Sequence, residues 1–469
     1  MLLVAAVAYG ANAASWLRWE REPLVHDEFS YLLAADTYAH GRLTNPTHPL
    51  WRHFETFHVI QRPTYQSKYP PGQGLALALG IVALGHPIAG VWLSFAAACA
   101  ALTWMLRGWM PARWALAGGL LAALHPALGA FWGQTYWGGA VAMCGGALVY
   151  GAVPRLVRRD SAWASALLGL GLSILLLTRP VEGAVAALPA LAFLAWRRLR
   201  ARRRATWRLW APATVILAAA VAWLAYYDWR VTGDALRSPY WTWVLAYQNR
   251  DPAVPEILRR YRGSLELSPL RRLARVVVFY APLTLGLLLP GLWWMRRSRW
   301  TRLHALAAGA VVAASVCFTR GWPHYTAPVA GAVLALLVQG LRGWWRAGRR
   351  WPLLRVAAVT VLLTTLSGWA ARVSPNLWAN PHLLGREQVL NALAGTPRDH
   401  VVIVRYGPRH VVDREWVFNE ADIDAAHVVW ARELGGAADQ ALRAYFPERR
   451  MWLFEPDASA PRLTPYTPP

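Results

Sequence analysis

Apolar stretches about the length of a bilayer recur from Met1 to Arg372 and then stop. A helix needs roughly 20 apolar residues to cross the hydrocarbon core, so the pattern predicts a polytopic membrane protein. Predicted spans run Met1–Leu17, Pro87–Arg107, Arg113–Phe131, Trp137–Pro154, Ala162–Leu177, Val181–Trp196, Trp207–Tyr227, Leu273–Met295, Leu303–Phe318, Tyr325–Leu341 and Pro352–Ala371. These make about 11 transmembrane helices, with the short first one expected to begin upstream of Met1. Gly74–Gly85 is too short to cross and predicts a re-entrant or interfacial helix.

Charge fixes the sidedness. The net charge is +24, which suggests nucleic acid until its distribution is followed. Arg197 to Arg208 carries seven Arg, Arg296 to Arg302 four and Arg342 to Arg355 five, all in one alternating set of short connections that also includes Arg107, Arg113, Arg155, Arg158 and Arg159. The other set carries only Arg179 and Arg320. Cytoplasmic connections are the Arg-rich ones. The N-terminus is therefore expected in the cytoplasm, with the loops 18–73 and 228–272 and the tail outside. No nucleic-acid partner is implied. Cys99, Cys144 and Cys317 lie within apolar segments and read as buried free thiols.

The segment 1–372 thus reads as a transmembrane domain and 373–469 as a small extracytoplasmic α/β domain. A helical stretch, Leu383–Leu393, precedes an apolar strand, His400–Arg405. A second strand, His427–Ala431, leads through Gly435-Gly436 into a helix at Ala437–Tyr445, and Met451–Phe454 closes as a third. Short buried strands alternating with helices predict a small parallel sheet. No glycine-rich phosphate loop accompanies it.

The inferred outer face gathers the ionisable groups. Ionisable residues at membrane depth cost ~2.5–3.5 kcal/mol each and default to functional hypotheses. The first loop opens with His26, Asp27 and Glu28, just after the first apolar segment. Such a carboxylate pair is either an interfacial charge at a helix end, or a general base or metal ligand. Lys68 is the single Lys in a chain otherwise using Arg, which points to a compact ammonium, as in a point contact with phosphate. Tyr69-Pro70-Pro71 then sets the chain direction into the short helix. Arg179 and Glu182 flank Pro180 between two apolar helices, and Arg320 precedes His324 and Tyr325. Each group reads as a helix-end ion pair or as a phosphate contact. Gln134, Tyr136 and Trp137 form another outer turn, and aromatic side chains there and at Tyr31 and Tyr69 suit stacking on sugar faces. A divalent metal is a possible cofactor, with the loop histidines His48, His53 and His58, and Glu55, as its candidate ligands; an amphipathic surface helix would account for the same His48–Ile60 stretch.

These motifs together resemble the C-type membrane glycosyltransferases, specifically the family-39-like group of protein O-mannosyltransferases and the lipid A aminoarabinose transferase. The resemblance rests on Asp27-Glu28 after the first helix and on Lys68-Tyr69-Pro70-Pro71. It extends to Leu177-Thr178-Arg179-Pro180-Val181-Glu182-Gly183 and to Arg320 with His324-Tyr325-Thr326-Ala327-Pro328, and covers 1–371. It implies a polyprenyl-phosphate sugar as donor, used at the outer face of a bacterial cytoplasmic membrane with inversion at the anomeric carbon. Asp27 falls on the family's catalytic acid-motif residue, with Glu28 beside it, Lys68 on its first-loop phosphate contact, and Arg179 on a basic position after a helix pair. The chain departs from the family at Trp132–Trp137, where an acidic residue is usual. The acceptor, whether protein, lipid or glycan, is not indicated. Two other readings stand beside it, a transporter or flippase of a lipid-linked saccharide and a non-catalytic assembly subunit. The first predicts internal repeats, and the second predicts that Asp27 is freely replaceable.

Overall fold

The computed structural model describes residues 1–18, 23, 25–202, 207–249, 268–281, 283–319, 321–370, 384–396, 398–408, 410 and 415–466. In chain order, helix α1 (Leu2–Arg18) is followed by α2 (His26–Ala39), a 3-10 turn at Trp51–Phe54 and a hairpin of β1 (Val59–Ile60) and β2 (Gln66–Ser67). Then come α3 (Pro71–Leu84), α4 (Pro87–Trp109), α5 (Ala112–Ala123), α6 (Pro126–Trp132), α7 (Ala140–Arg158), α8 (Ala162–Thr178), α9 (Pro180–Arg200), α10 (Trp207–Thr232) and α11 (Pro239–Asn249). Helices at Pro269–Tyr280, Arg299–Phe318, Ala330–Ala347 and Leu353–Ala370 complete the apolar part. The tail holds β3 (His400–Val404), β4 (Val428–Arg432), β5 (Arg450–Phe454) and β6 (Leu463–Pro465), with helices Leu384–Ala394 and Gly436–Tyr445.

Among the described residues, five helices are long and apolar enough to cross a membrane, or six if the bent pair α5–α6 is one span. Shorter apolar helices include Leu2–Leu17, Pro71–Leu84, Ala162–Thr178 and Leu353–Thr364. The expected span Arg113–Phe131 is bent by 53° between α5 and α6. The bend has a local cause: Pro126 cannot continue the helix ladder, and the His125 side chain instead accepts the Leu128 amide to start a new helix. The expected single span Leu273–Met295 is a correction of a larger kind. It divides into Pro269–Tyr280, the short turn Leu283–Gly286 and a 3-10 segment at Leu289–Met295, with Pro290 in its first turn.

The chain divides into two compact units. The first comprises Met1–Trp19, Ile88–Leu224 and Leu265–Val373. Its helices approach closely at small residues, as in membrane bundles. A Cβ added to Gly171 of α8 would lie 2.7 Å from the Gly145 carbonyl oxygen of α7.

The second unit comprises Glu20–Pro87, Ala225–Ser264 and Ser374–Pro469. Its sheet has the order β4-β3-β5-β6, parallel except for β6, which pairs antiparallel with β5. The three predicted strands are β3, β4 and β5. Strand β6 is an addition, and it ends on Pro465 at the sheet edge, where a missing amide is tolerated. Both faces are buried, as parallel strands require. One face packs Val401, Ile403, Val429 and Ala431 against Leu33, Phe54, Val59 and Tyr65 of the first loop. The other covers Val402, Val404 and Trp430 with Val389 and Leu393 of the helix Leu384–Ala394. The tail and the first loop therefore share a core.

Candidate active site

Helix α2 begins at His26 with no side-chain cap, and Asp27 and Glu28 occupy its first turn. Negative charge is favoured there by the orphan amides and the helix dipole. Glu28 is buried, whereas about a third of the Asp27 side chain is exposed. That difference leaves Asp27 as the carboxylate a substrate can reach.

The hairpin is fastened to α2 by hydroxyls. Ser30 donates to the His58 carbonyl at 2.7 Å and meets the Ser67 hydroxyl at 2.7 Å, while the Lys68 amide donates to the same His58 carbonyl at 3.1 Å. The register pairs Val59 with Ser67 and Ile60 with Gln66. His58, Lys68 and Tyr69 are thereby held beside the start of α2. Gly74 completes the arrangement, since a Cβ there would sit 2.8 Å from that of Ala34 and press α3 off α2.

Three groups meet at Asp27. The Tyr69 hydroxyl donates to Oδ1, and the Nε2 atoms of His26 and His58 lie 3.5 and 3.6 Å from Oδ2. The Tyr69 ring is stacked on Tyr31 at 4.5 Å, and the His26 and His58 rings are stacked at 4.3 Å. Lys68 is buried with its ammonium walled by rings: 3.4 Å from the centroid of Trp243, 5.1 Å from Tyr240, 5.2 Å from Tyr69 and 5.6 Å from Phe57. Cation–π attraction of this kind helps hold the ammonium in place. Tyr240 and Trp243 lie on α11, about 170 residues away, so nothing in the first loop's own sequence pointed to them. The Trp-rich run Tyr240–Trp243 in the second long loop was the available signal.

The metal expectation at His48 and His53 is corrected. His48 Nδ1 accepts the Leu50 amide at 2.9 Å and Nε2 faces Asp424 at 3.1 Å. Burial lowers its pKa from the ordinary histidine value, against the pull of the Asp424 hydrogen bond. His53 places Nδ1 2.9 Å from the Arg432 carbonyl oxygen and Nε2 3.2 Å from that of Ala438. All four ring nitrogens are thus used in joining the loop to the tail. The amphipathic surface helix is likewise replaced by the 3-10 turn and β1, because Phe54 and Val59 are buried against the sheet.

The first unit holds the remaining candidates. Arg179 caps α9, and its guanidinium lies 5.2 Å from the Tyr325 ring centroid. Tyr325 contacts His324 at 4.5 Å, and Trp137 meets both His324 and Trp322 edge-on at 5.5 and 5.8 Å. Arg275, which the sequence reading missed, lies 4.1 Å over Trp322. Glu182 is half-buried in the first turn of α9. Gln134 is a correction: its amide donates to Asn12 of α1 at 2.7 and 3.1 Å, so it locks helices together. Tyr136 is buried at 4% exposure and unsuited to a sugar platform in this arrangement. Arg320 lies outside the described residues.

No protein-family model matches the sequence, and no curated protein does. Solved structures do. ArnT from Cupriavidus metallidurans, solved bound to undecaprenyl phosphate, superposes with a TM-score of 0.59 at 14% identity, covering 97% of this chain and 92% of that one. The archaeal oligosaccharyltransferase AglB from Archaeoglobus fulgidus, solved with an inhibitory peptide and a dolichol-phosphate, gives a TM-score of 0.46 at 12% identity, covering 97% and 69%. The chain shares the fold of ArnT.

Proposed function

We propose that this protein is a glycosyltransferase that moves a sugar from a polyprenyl-phosphate donor to an acceptor at the outer face of the cytoplasmic membrane. The observation that carries the reading is the Asp27–Tyr69–Lys68 arrangement: a reachable carboxylate at the start of α2 beside a preset ammonium just after the hairpin. The ArnT fold, known with a polyprenyl phosphate bound, supports the donor class.

In this reading Asp27 is the general base. Its Oδ1 is occupied by Tyr69, so Oδ2 takes the proton from an acceptor hydroxyl or amine as that atom attacks the anomeric carbon. Attack opposite the departing phosphate inverts the sugar centre. Lys68 stabilises the negative charge that grows on the phosphate oxygen, and its ring walls keep the ammonium oriented before the donor arrives. Arg179 and Arg320 are assigned to the donor's anionic head, and Trp137, His324 and Tyr325 to contacts with sugar or lipid.

The test is transfer by the full chain in nanodiscs. A panel of radiolabelled polyprenyl-phosphate sugars is offered with native membrane extract as acceptor, for wild type beside Asp27→Asn. Transfer by wild type that vanishes in a folded variant supports the reading. Equal transfer by both removes Asp27 as the base. Saturable donor binding with no transfer from any donor favours a carrier of lipid-linked saccharide.

A further inference from the structure

The first turn of α2 carries Asp27, and it is held from outside. Its N-cap, Val25, makes no side-chain cap, and a helix end without one frays. Two neighbouring residues are fastened from different sides instead. Ser30 is bound to the hairpin through the His58 carbonyl and the Ser67 hydroxyl. Phe29 faces the tail, its ring stacked on that of Phe418 at 4.2 Å and 11°. The same side of α2 continues through Leu33, in one core with Ala421 and Ile423, to Asp36, whose carboxylate accepts the Ala421 amide at 2.8 Å. Positions 29, 33 and 36 are spaced as one helical stripe, so the tail runs along α2 from its first turn.

The piece of tail that meets this turn is irregular and yet fixed. Residues 415–419 form neither helix nor strand, and Phe418 is buried. Buried irregular backbone has to be satisfied by side chains. Glu415 accepts the amides of Trp416 and Val417, each at 3.2 Å. Arg386 donates to the carbonyls of Trp416 and Phe418, the latter at 2.7 Å. Asn419 exchanges hydrogen bonds of 2.8 and 2.9 Å with the Trp430 backbone of β4. The Arg386 guanidinium also lies 4.2 Å from the Trp430 ring centroid and 5.3 Å from that of Phe29. Three polar side chains thereby set this short stretch, and the ring it delivers to α2 is Phe418.

We propose that Phe418, held by Arg386, is a positioning residue for Asp27: the tail fixes the first turn of α2 and with it the carboxylate that acts as base. A misplacement of about 1 Å can cost 100-fold in rate, so a turn that must aim a base needs such a hold. The effect on transfer rests on the transferase reading; the hold of the tail on the turn does not.

The experiment compares wild type, Phe418→Leu and His53→Ala, each as the full chain in nanodiscs. Leucine keeps an apolar side chain at 418 and removes the stacked ring. Hydrogen–deuterium exchange is read on the stretch Ser30 to Leu33, whose amides donate to the first-turn carbonyls. Phe418→Leu is expected to speed that exchange about tenfold while β3, β4 and β5 stay protected, and His53→Ala to leave it unchanged. With the donor that wild type uses, Phe418→Leu should lower kcat about 10- to 100-fold and leave the donor KM unchanged. A residue that only added stability would lower the melting temperature and spare kcat. Arg386→Lys keeps the charge and loses the fork that joins two carbonyls, so it should move both readouts in the same direction. Unchanged exchange in folded Phe418→Leu overturns the inference, as does faster exchange with an unchanged kcat. If wild type transfers no sugar, faster exchange still upholds the hold of the tail on α2, and only the transferase reading falls.

Discussion

Within one loop, 18–73, the same residue type is used in two opposite ways. His48 and His53 have every ring nitrogen committed to an amide, a carbonyl or Asp424, and they join the loop to the tail. His26 and His58 instead turn toward a single, partly exposed carboxylate oxygen, and one of them does so from a strained backbone. The comparison teaches that a histidine's role is decided by where its two nitrogens go, which spacing along the chain does not reveal. An imidazole tied to groups of the tail adds stability, while one beside a reachable carboxylate is placed for chemistry.

The sharpest way to break this contrast is at Asp27. Asp27→Asn is expected to cut transfer by about 100- to 10,000-fold, the range for loss of a general base, with an unchanged melting curve. A variant that transfers normally would place the chemical side of the loop elsewhere. Next is Lys68→Met, which keeps the stem among the rings and removes the charge. Transfer should fall about 100-fold, as on loss of one preorganised donor to a transition-state charge. Lys68→Arg should not restore it, because a planar guanidinium does not fit where a compact ammonium lies 3.4 Å from the Trp243 centroid.

On the structural side, His53→Ala removes the imidazole that lies against the carbonyls of Arg432 and Ala438. Loss of that part-buried hydrogen bond should lower stability by about 1 kcal/mol, seen as a lower melting temperature, with transfer per folded molecule retained. Loss of transfer in the folded fraction would merge the two sides of the loop. The smallest effect concerns pH. The pKa of His48 is lowered in the fold, so between its folded and unfolded values the unfolded chain binds more protons. Its contribution is complete above about 6.5 and is lost as pH falls through the folded value. His48→Gln should flatten that acid-side decline in melting temperature.

Much of this molecule is legible in sequence, and what is not has a physical reason. The parallel strands of the tail read correctly because burial on both faces leaves continuous apolar runs such as Val401–Val404. The start of α3 read correctly because Pro70 and Pro71 have no amide to donate. The span at Leu273–Met295 misread because hydropathy is blind to whether apolar residues form one helix or several short turns. Asp27, Lys68 and Tyr69 stood out through residue type and order. Trp243 did not, since its part depends on α11 returning to the hairpin, and Gln134 misled because a polar group at an expected outer turn can serve a neighbouring helix. His58 was visible only as one of several loop histidines, and its left-handed backbone has no sequence mark.

The second unit is stitched from three stretches far apart along the chain, and His48 must wait for Asp424, 376 positions later. At a synthesis rate of about 5–20 residues per second, that wait is about 20–75 seconds on the ribosome. During it, Phe54, Val59 and Tyr65 have no sheet to cover them. The nascent loop therefore carries uncovered apolar side chains until the tail is made. A ribosome that stalls before the tail emerges yields a membrane-inserted chain whose hairpin lacks its backing, so completion of translation itself acts as the checkpoint on assembly of this unit.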